Sequence, residues 1–429
     1  MVNVRSRLMV LGFLLLLFAG ILLGVKLTIF SAGASEGQAL DAAIAEYKKL
    51  HPEVEFEHVN ITSGWQEKFS LALMSGDAPD LIAITVPYAD YFRSYLIDLA
   101  PYVEKHLGIS LKEYKDSMYD VVRAYVGKTE DELTYVPLYL TVHSLWVNVD
   151  YFEKAGIPYP PLGGRDEPWT WEEFVDVLRT VKKVNKLPAA MSFSYSTERL
   201  FNYLAVRGVK VLDENLDLVL DKDPRAKKVL QDFVDLFKEE LVPAPEWIAQ
   251  QSDINDFLGG ITAVHWSGSW MCRSIIDIMK QTGKRFAPAY VPKDVDWFGI
   301  NGGHIFGVVR TGDKKREEEA IKFALWIGQK GLGNDVFNKA LLGISPFKGH
   351  EIDYGVPEMN EWIPVFQTLI ERAPSWIVPV RTCELWARLY DPLRTQIAMV
   401  IGDQQNLDDA LKNIRKEYET ILEELGGKR

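Results

Sequence analysis

Cysteine is nearly absent: Cys272 and Cys383 are the only two in 429 residues. A pair in an exported chain leaves one disulfide open. Cys272, however, shares helical spacing with Ile275, Ile276 and Met279, which predicts a free thiol buried on an apolar face. A surplus of positive charge is also missing. The formal net charge of −12 argues against a nucleic-acid partner, for which a basic stripe is expected. Catalytic signatures are absent too. The chain has no phosphate loop, no nucleotide-binding glycine fingerprint after a strand, no H-E-x-x-H and no G-x-S-x-G. Its seven histidines are scattered without local metal spacing, so neither a metal nor a cofactor is expected. Carboxylates are plentiful, and counting alone leaves a glycosidase pair open, although none stands in a diagnostic context. Internal repeats and low-complexity tracts are lacking. Asn60-Ile61-Thr62 is a short glycosylation match and carries little weight.

What is present is a globular composition, 47% hydrophobic and 25% charged, in a chain too long for one ordinary core. Two domains are the natural expectation. Arg5 and Arg7 precede an uncharged stretch from Leu8 to Val25. Its length lies between a cleavable signal, with about 7–15 apolar residues, and a membrane span of about 18 or more. Residues 1–24 therefore read as a signal peptide or an N-terminal membrane anchor, with the rest of the chain exported. No cysteine near this stretch offers a lipid attachment point. Ala32-Gly33-Ala34 looks like a cleavage site, but Lys26 to Ser31 alternates and reads as the first strand, which such a cut would remove.

The chain then runs strand, helix, strand, helix, strand. Leu40, Ala43, Ile44 and Tyr47 mark one helix face, stopped by His51-Pro52. Val54 to Ile61 alternates as a strand. Ser63 and Gln66 have capping-box spacing for a helix through Met74, and Leu81 to Ile84 is a short apolar strand. This alternation predicts a mostly parallel sheet covered by helices on both faces. Further on, Leu145, Val147 and Val149 alternate as a strand. Thr170 and Glu173 form a capping box, with Trp169 and Phe174 at staple positions, and Tyr159 to Pro168 reads as a surface loop. Short polar and aromatic stretches follow or precede the strands: Ser31 to Ser35, Thr85 to Tyr88 and Tyr139 to His143. In open α/β sheets, such ends are where ligands bind.

"LALMSGDAPDLIAI", "YVPLYLTVHSLWVNVDYFEKAGIPYP", "WTWEEFVDVLRTVKK", "FLGGITAVHWSGSW", "GINGGHIFGVV" and "LDDALKNIRKEYETIL" resemble, in order, the family 1 extracellular solute-binding proteins. These are the sugar receptors of ABC importers, and the resemblance covers nearly the whole mature chain. It implies an α/β, two-lobed periplasmic-binding-protein type II fold, each lobe a mostly parallel sheet flanked by helices, with a ligand cleft at the hinge. Lobe I would comprise 25–140 and 304–343, and lobe II 141–303 and 344–429. The chain would act as a monomer without cofactor, binding a carbohydrate and delivering it to the permease subunits of the transporter. A secreted glycoside hydrolase acting on oligosaccharides is the rival reading.

A sugar ring presents a flat C–H face to aromatic rings and a rim of hydroxyls to short polar groups. By resemblance, Trp270 after the Gly-x step at Gly268 is the stacking ring, with Ser267 and Ser269 near hydroxyls and Trp266 less favoured. Trp386, with Tyr390 one turn later, supplies the aromatic of the C-terminal segment, and Trp65 opens a helix of lobe I. Ser31, Thr85, Tyr139, Thr141, His143, Glu198, Gly303 and His304 complete the expected ligand-binding set. His143, His265 and His304 are expected to bond hydroxyls rather than a metal, and Asp80 to be structural. Thr141 stands where the maltose-binding members carry an acidic residue, and "TVPYAD" replaces their tryptophan-containing strand end, so maltose itself is not inferred. Fractionation of the host cells should find the folded chain outside the cytoplasmic membrane. A soluble cytoplasmic pool that retains residues 1–24 would overturn that expectation.

Overall fold

The computed structural model describes residues 24–251 and 253–427. The expected signal peptide or anchor thus lies almost wholly outside the described residues. Among those described, no helix is long and apolar enough to cross a membrane. In chain order the elements that build the site are β1 (Val25–Ala32), α1 (Ala34–Leu50), β2 (Val54–Ile61), α2 (Trp65–Ser75), β3 (Leu81–Thr85), β4 (Val136–Asn148), α3 (Trp171–Asn185), β5 (Met191–Phe193) and α4 (Thr197–Val206). They are followed by β6 (Val264–Gly268), α5 (Cys272–Thr282), β7 (Phe286–Ala289), β8 (Asn301–Val308), α6 (Lys314–Ile327), α7 (Gly333–Leu341), α8 (Pro357–Glu371), α9 (Ile377–Thr382) and α10 (Glu384–Ile401).

The strands follow the order β2-β1-β3-β8-β4-β6-β5, with β7 also paired to β4. Where strand–helix–strand units build the sheet, pairing is parallel: β1 with β2 and β3, and β5 with β6. Antiparallel pairs arise where the chain crosses from one half of the sheet to the other. β8 runs against β3 and β4, and β4 runs against β6 and β7. Strand β4 belongs to both halves. Its residues up to Val142 pair with β8, and those from His143 pair with β6. A further crossing is tied down beside it, where the Leu140 amide donates to the Ile344 carbonyl at 2.9 Å. Residues 346–348 remain bonded to the first half, through Tyr119 N to Pro346 O and Lys348 N to Ser117 O.

Local chemistry explains most element ends. Thr170 and Glu173 form the expected reciprocal capping box of α3, and the Trp169 and Phe174 rings meet at 5.9 Å. The expected Ser63–Gln66 box does not form. Gly64 caps α2 in the left-handed region at φ 59°, and no side chain bonds there. Leu27 and Ile29 of β1 are fully buried between β2 and β3, so cleavage after Ala34 would strip an inner strand. Asp80 is structural: its Oδ2 accepts from Thr28 N at 2.7 Å and from Arg316 at 2.6 Å. Leu385, Leu389 and Leu393 are the core stripe of α10.

Both cysteines are free and buried, and burial pushes the Cys383 thiol up to about 11. Alkylation under denaturing, non-reducing conditions should therefore add two labels by intact mass; a chain that takes none contains a disulfide.

Candidate functional site

A cleft of about 670 Å3 opens where β4 passes from one half of the sheet to the other. The first half contributes Glu36 from α1, Trp65 and Gln66 from α2, Thr85, Pro87 and Tyr88 after β3, and Tyr139. The crossing strands add Thr141, His143, Gly303 and His304. The second half supplies Ser196, Glu198, Arg199, Asp253, His265, Trp270 and Ser274, with Arg381 and Tyr390 from the C-terminal helices. Ten of the thirteen expected residues thus converge: Trp65, Thr85, Tyr139, Thr141, His143, Glu198, Trp270, Gly303, His304 and Tyr390.

Trp270 stands on the turn after β6 and is only partly buried. His143 meets its ring edge-on at 5.0 Å, and the Arg199 guanidinium lies 5.6 Å from its centroid. The small residue before it has a steric reason. A Cβ at Gly268 would collide with the Trp270 ring and with the Val142 carbonyl. Gly268 therefore seats the ring against β4 and is not itself part of the cleft wall. Gly303, at φ 136°, is a second forced glycine, because a Cβ there would strike the Tyr139 carbonyl.

Two other expected residues also stand away from the cleft. Ser31 is buried, its hydroxyl bound to His58 Nε2 at 2.6 Å and to Asn60 at 3.2 Å. Trp386 is fully buried against Phe201, with ring centroids 4.8 Å apart. Its Nε1 donates to Glu198 Oε1 at 3.3 Å, so it braces a cleft carboxylate from behind. The serines flanking Gly268 are likewise committed: Ser267 Oγ accepts from Arg199, and Ser269 Oγ accepts from the Val142 amide, both at 3.1 Å. Trp266 is core, set among Phe193, Phe174 and Tyr203.

Of the charged residues of the cleft, the sequence reading placed Glu198 and missed Glu36, Arg199, Asp253 and Arg381. Arg381 is ion-paired to Glu198 at 2.5 Å. Arg199 stands 3.8 Å from Asp253, which also accepts from Ser194 and lies 3.6 Å from His265. Glu36 accepts from the Tyr139 hydroxyl at 2.6 Å. None of these stood in a motif; helical phase at Glu198 and Arg199 was the one available signal. Burial keeps the histidines uncharged. The His143 pKa falls to about 3 although its Nδ1 meets the Ile300 carbonyl at 3.0 Å, and those of His265 and His304 are also lowered. No cluster able to hold a metal occurs among the described residues.

A hinge-straddling cleft between two halves of an α/β sheet, lined by aromatic rings and hydrogen-bonding groups, defines a binding protein of the two-lobed type. The chain belongs to the bacterial extracellular solute-binding protein family, whose model matches residues 32–331. No curated protein matches it in sequence. Among solved structures, it is similar to an ABC substrate-binding protein of Listeria monocytogenes in complex with cycloalternan, at 16% identity and TM-score 0.76, over 94% of this chain and 100% of that one. Maltose-bound MalE3 of T. maritima aligns at 18% and 0.76, over 93% and 100%. The GacH receptor of Streptomyces glaucescens GLA.O, solved unliganded and with acarbose, aligns at 20% and 0.74, over 94% and 99%.

The histidines make stability pH-dependent with a definite sign. Between about pH 3 and the unfolded value near 6.5, the unfolded chain binds a proton at residue 143 that the folded chain does not. Stability should therefore fall as pH drops below about 6.5, with this residue contributing roughly 1.4 kcal/mol per pH unit. Denaturant titrations across that window should give a slope shallower by one proton in His143→Gln than in wild type.

Proposed function

We propose that this chain is the extracytoplasmic receptor of an ABC importer. It binds a carbohydrate between its lobes, performs no chemistry and presents the closed complex to a membrane permease. The observation that carries this reading is the convergence of Trp270, Tyr88, Tyr390 and Trp65 with Thr85, Thr141, Ser196, Ser274 and three uncharged histidines in one cleft. Rings cover a sugar's C–H face, and uncharged polar groups meet its hydroxyls, which cost roughly 1–3 kcal/mol each if buried without a partner. The carbohydrate ligands of the similar structures support the same reading.

We assign 25–140 and 304–343 to lobe I and 141–303 and 344–429 to lobe II, with 344–348 held against lobe I as part of the hinge. Binding closes the lobes by bending at β4, β8 and this third crossing, without unpacking either core. The protein acts as a monomer without cofactor. The hydrolase alternative has no supporting observation.

A thermal-shift screen against a sugar panel tests the reading, since a ligand at 100 times its Kd adds about 2.7 kcal/mol. With a binding sugar in hand, Trp270→Ala should weaken affinity by roughly 1–3 kcal/mol, about 5- to 150-fold in Kd. Its stability should fall less than the roughly 3–5 kcal/mol of a core tryptophan. Unchanged affinity would remove Trp270 from the site, and recovery of cleaved sugar would favour the hydrolase.

A further inference from the structure

The charged groups of the cleft do not balance. Among the described residues, its lining holds three carboxylates, Glu36, Glu198 and Asp253, but two guanidinium groups and no lysine. Both guanidinium groups are already engaged. Arg381 is paired with Glu198 at 2.5 Å, and Arg199 bonds Ser267 and faces Asp253. Burial keeps the three histidines of the lining uncharged at neutral pH.

Glu36 is the carboxylate left over. It lies in the first turn of α1, where the helix N-terminus favours a negative charge. Tyr139 Oη donates to its Oε1 at 2.6 Å, and His304 Nε2 is 4.0 Å from the same oxygen. No lysine or arginine pairs with it among the described residues, and His304 Nδ1 is buried in the same wall without a hydrogen-bond partner. The preceding turn leaves room for the carboxylate, since Gly33 has φ 95° and a Cβ there would collide with it. One charge of fixed sign therefore faces the ligand in a partly dehydrated cleft, where its field is screened less than in open water.

We propose that the cleft selects its ligand by charge and that Glu36 sets the selection. It takes neutral and amine-bearing sugars and rejects phosphorylated and carboxylated ones. The inference rests on the carbohydrate reading above. An anionic sugar entering this cleft meets an unpaired carboxylate and finds one guanidinium paired with Glu198 and the other bonded to Ser267 beside Asp253. A hydroxyl or ammonium group donates to Glu36 without displacing any existing pair.

The test is a binding series with wild type, Glu36→Gln and Glu36→Lys. The panel contains glucose, maltose, maltotriose and ribitol as neutral probes, with glucosamine, glucose 6-phosphate, glucuronate and oligogalacturonate. The best-binding neutral or amino sugar is then compared with its primary-alcohol-oxidised, carboxylate-bearing form. Wild type should prefer the unoxidised parent by roughly tenfold or more in Kd. Glu36→Gln keeps an acceptor for Tyr139, and in it the ratio of the two Kd values should lose most of that preference whatever the parent's own affinity becomes, while Glu36→Lys should reverse the ratio. Glu104→Gln, an exposed charge removed from the same lobe, should leave the preference intact. A wild type that binds a phosphorylated or carboxylated probe most tightly overturns the inference but keeps the carbohydrate reading, as does an undiminished preference in Glu36→Gln. A panel in which no carbohydrate of any charge binds overturns that reading, and the inference with it.

Discussion

Strand β4 is the constraint on which the rest of the structure depends. Its 13 residues run through both halves of the sheet, and a strand's backbone groups must be satisfied wherever they are buried. Up to Val142 the partner is β8, and from His143 the partners are β6 and β7. Just before the changeover the strand opens to the cleft at one residue. Every residue of β4 is buried except Thr141, which faces the cleft. There the ladder is continued by substitutes: the Ser269 hydroxyl for the Val142 amide and the Ile300 carbonyl for the His143 amide. A cleft is thus the geometric consequence of one strand shared by two sheets, and its floor is backbone held by many bonds.

Polar groups around that floor are held in place before any ligand arrives. Burying a charge without a partner is costly, and apart from Glu36 the cleft limits this by pairing Arg381 with Glu198 and setting Arg199 against Asp253 and Ser267. Each pair also fixes a direction. Trp386 holds Glu198 from the core side, so a fully buried tryptophan influences the cleft without touching it. The small residues around Trp270 do similar positioning. Gly268 gives the ring room, while Ser267 and Ser269 spend their hydroxyls on Arg199 and on the β4 backbone. The pairing of large flat rings with the smallest side chains in "HWSGSW" is a packing solution that leaves one ring, Trp270, exposed to the cleft.

Much of this was legible in the sequence because periodicity reports local burial. Alternation over Lys26 to Ser31, Val54 to Ile61 and Leu145 to Val149, and the capping box at Thr170, are properties of neighbouring residues, and the elements appear there. The order of strands, helices and strand-end loops, together with the quoted motifs, was enough to name the family and to bring ten expected residues to one cleft. Failures came where one residue could serve two purposes. Ser31 sits at a strand end, as a ligand contact would, yet His58 and Asn60 from β2 take its hydroxyl. Trp386 and Tyr390 share a helical stripe, but only Tyr390 reaches the cleft.

The sequence by itself determined the α/β class, the order of the elements, the family and the aromatic residue after the Gly-x step. It did so because hydrophobic spacing and short motifs are set by neighbours along the chain. Tertiary structure alone decided which polar groups remain free to meet a ligand. Arg381 and Glu198 are 183 positions apart in the numbering, and Glu36 and Tyr139 are 103 apart. Whether such a group is paired or open depends on which distant segment folds against it, and only the packing of the two halves around β4 supplies that.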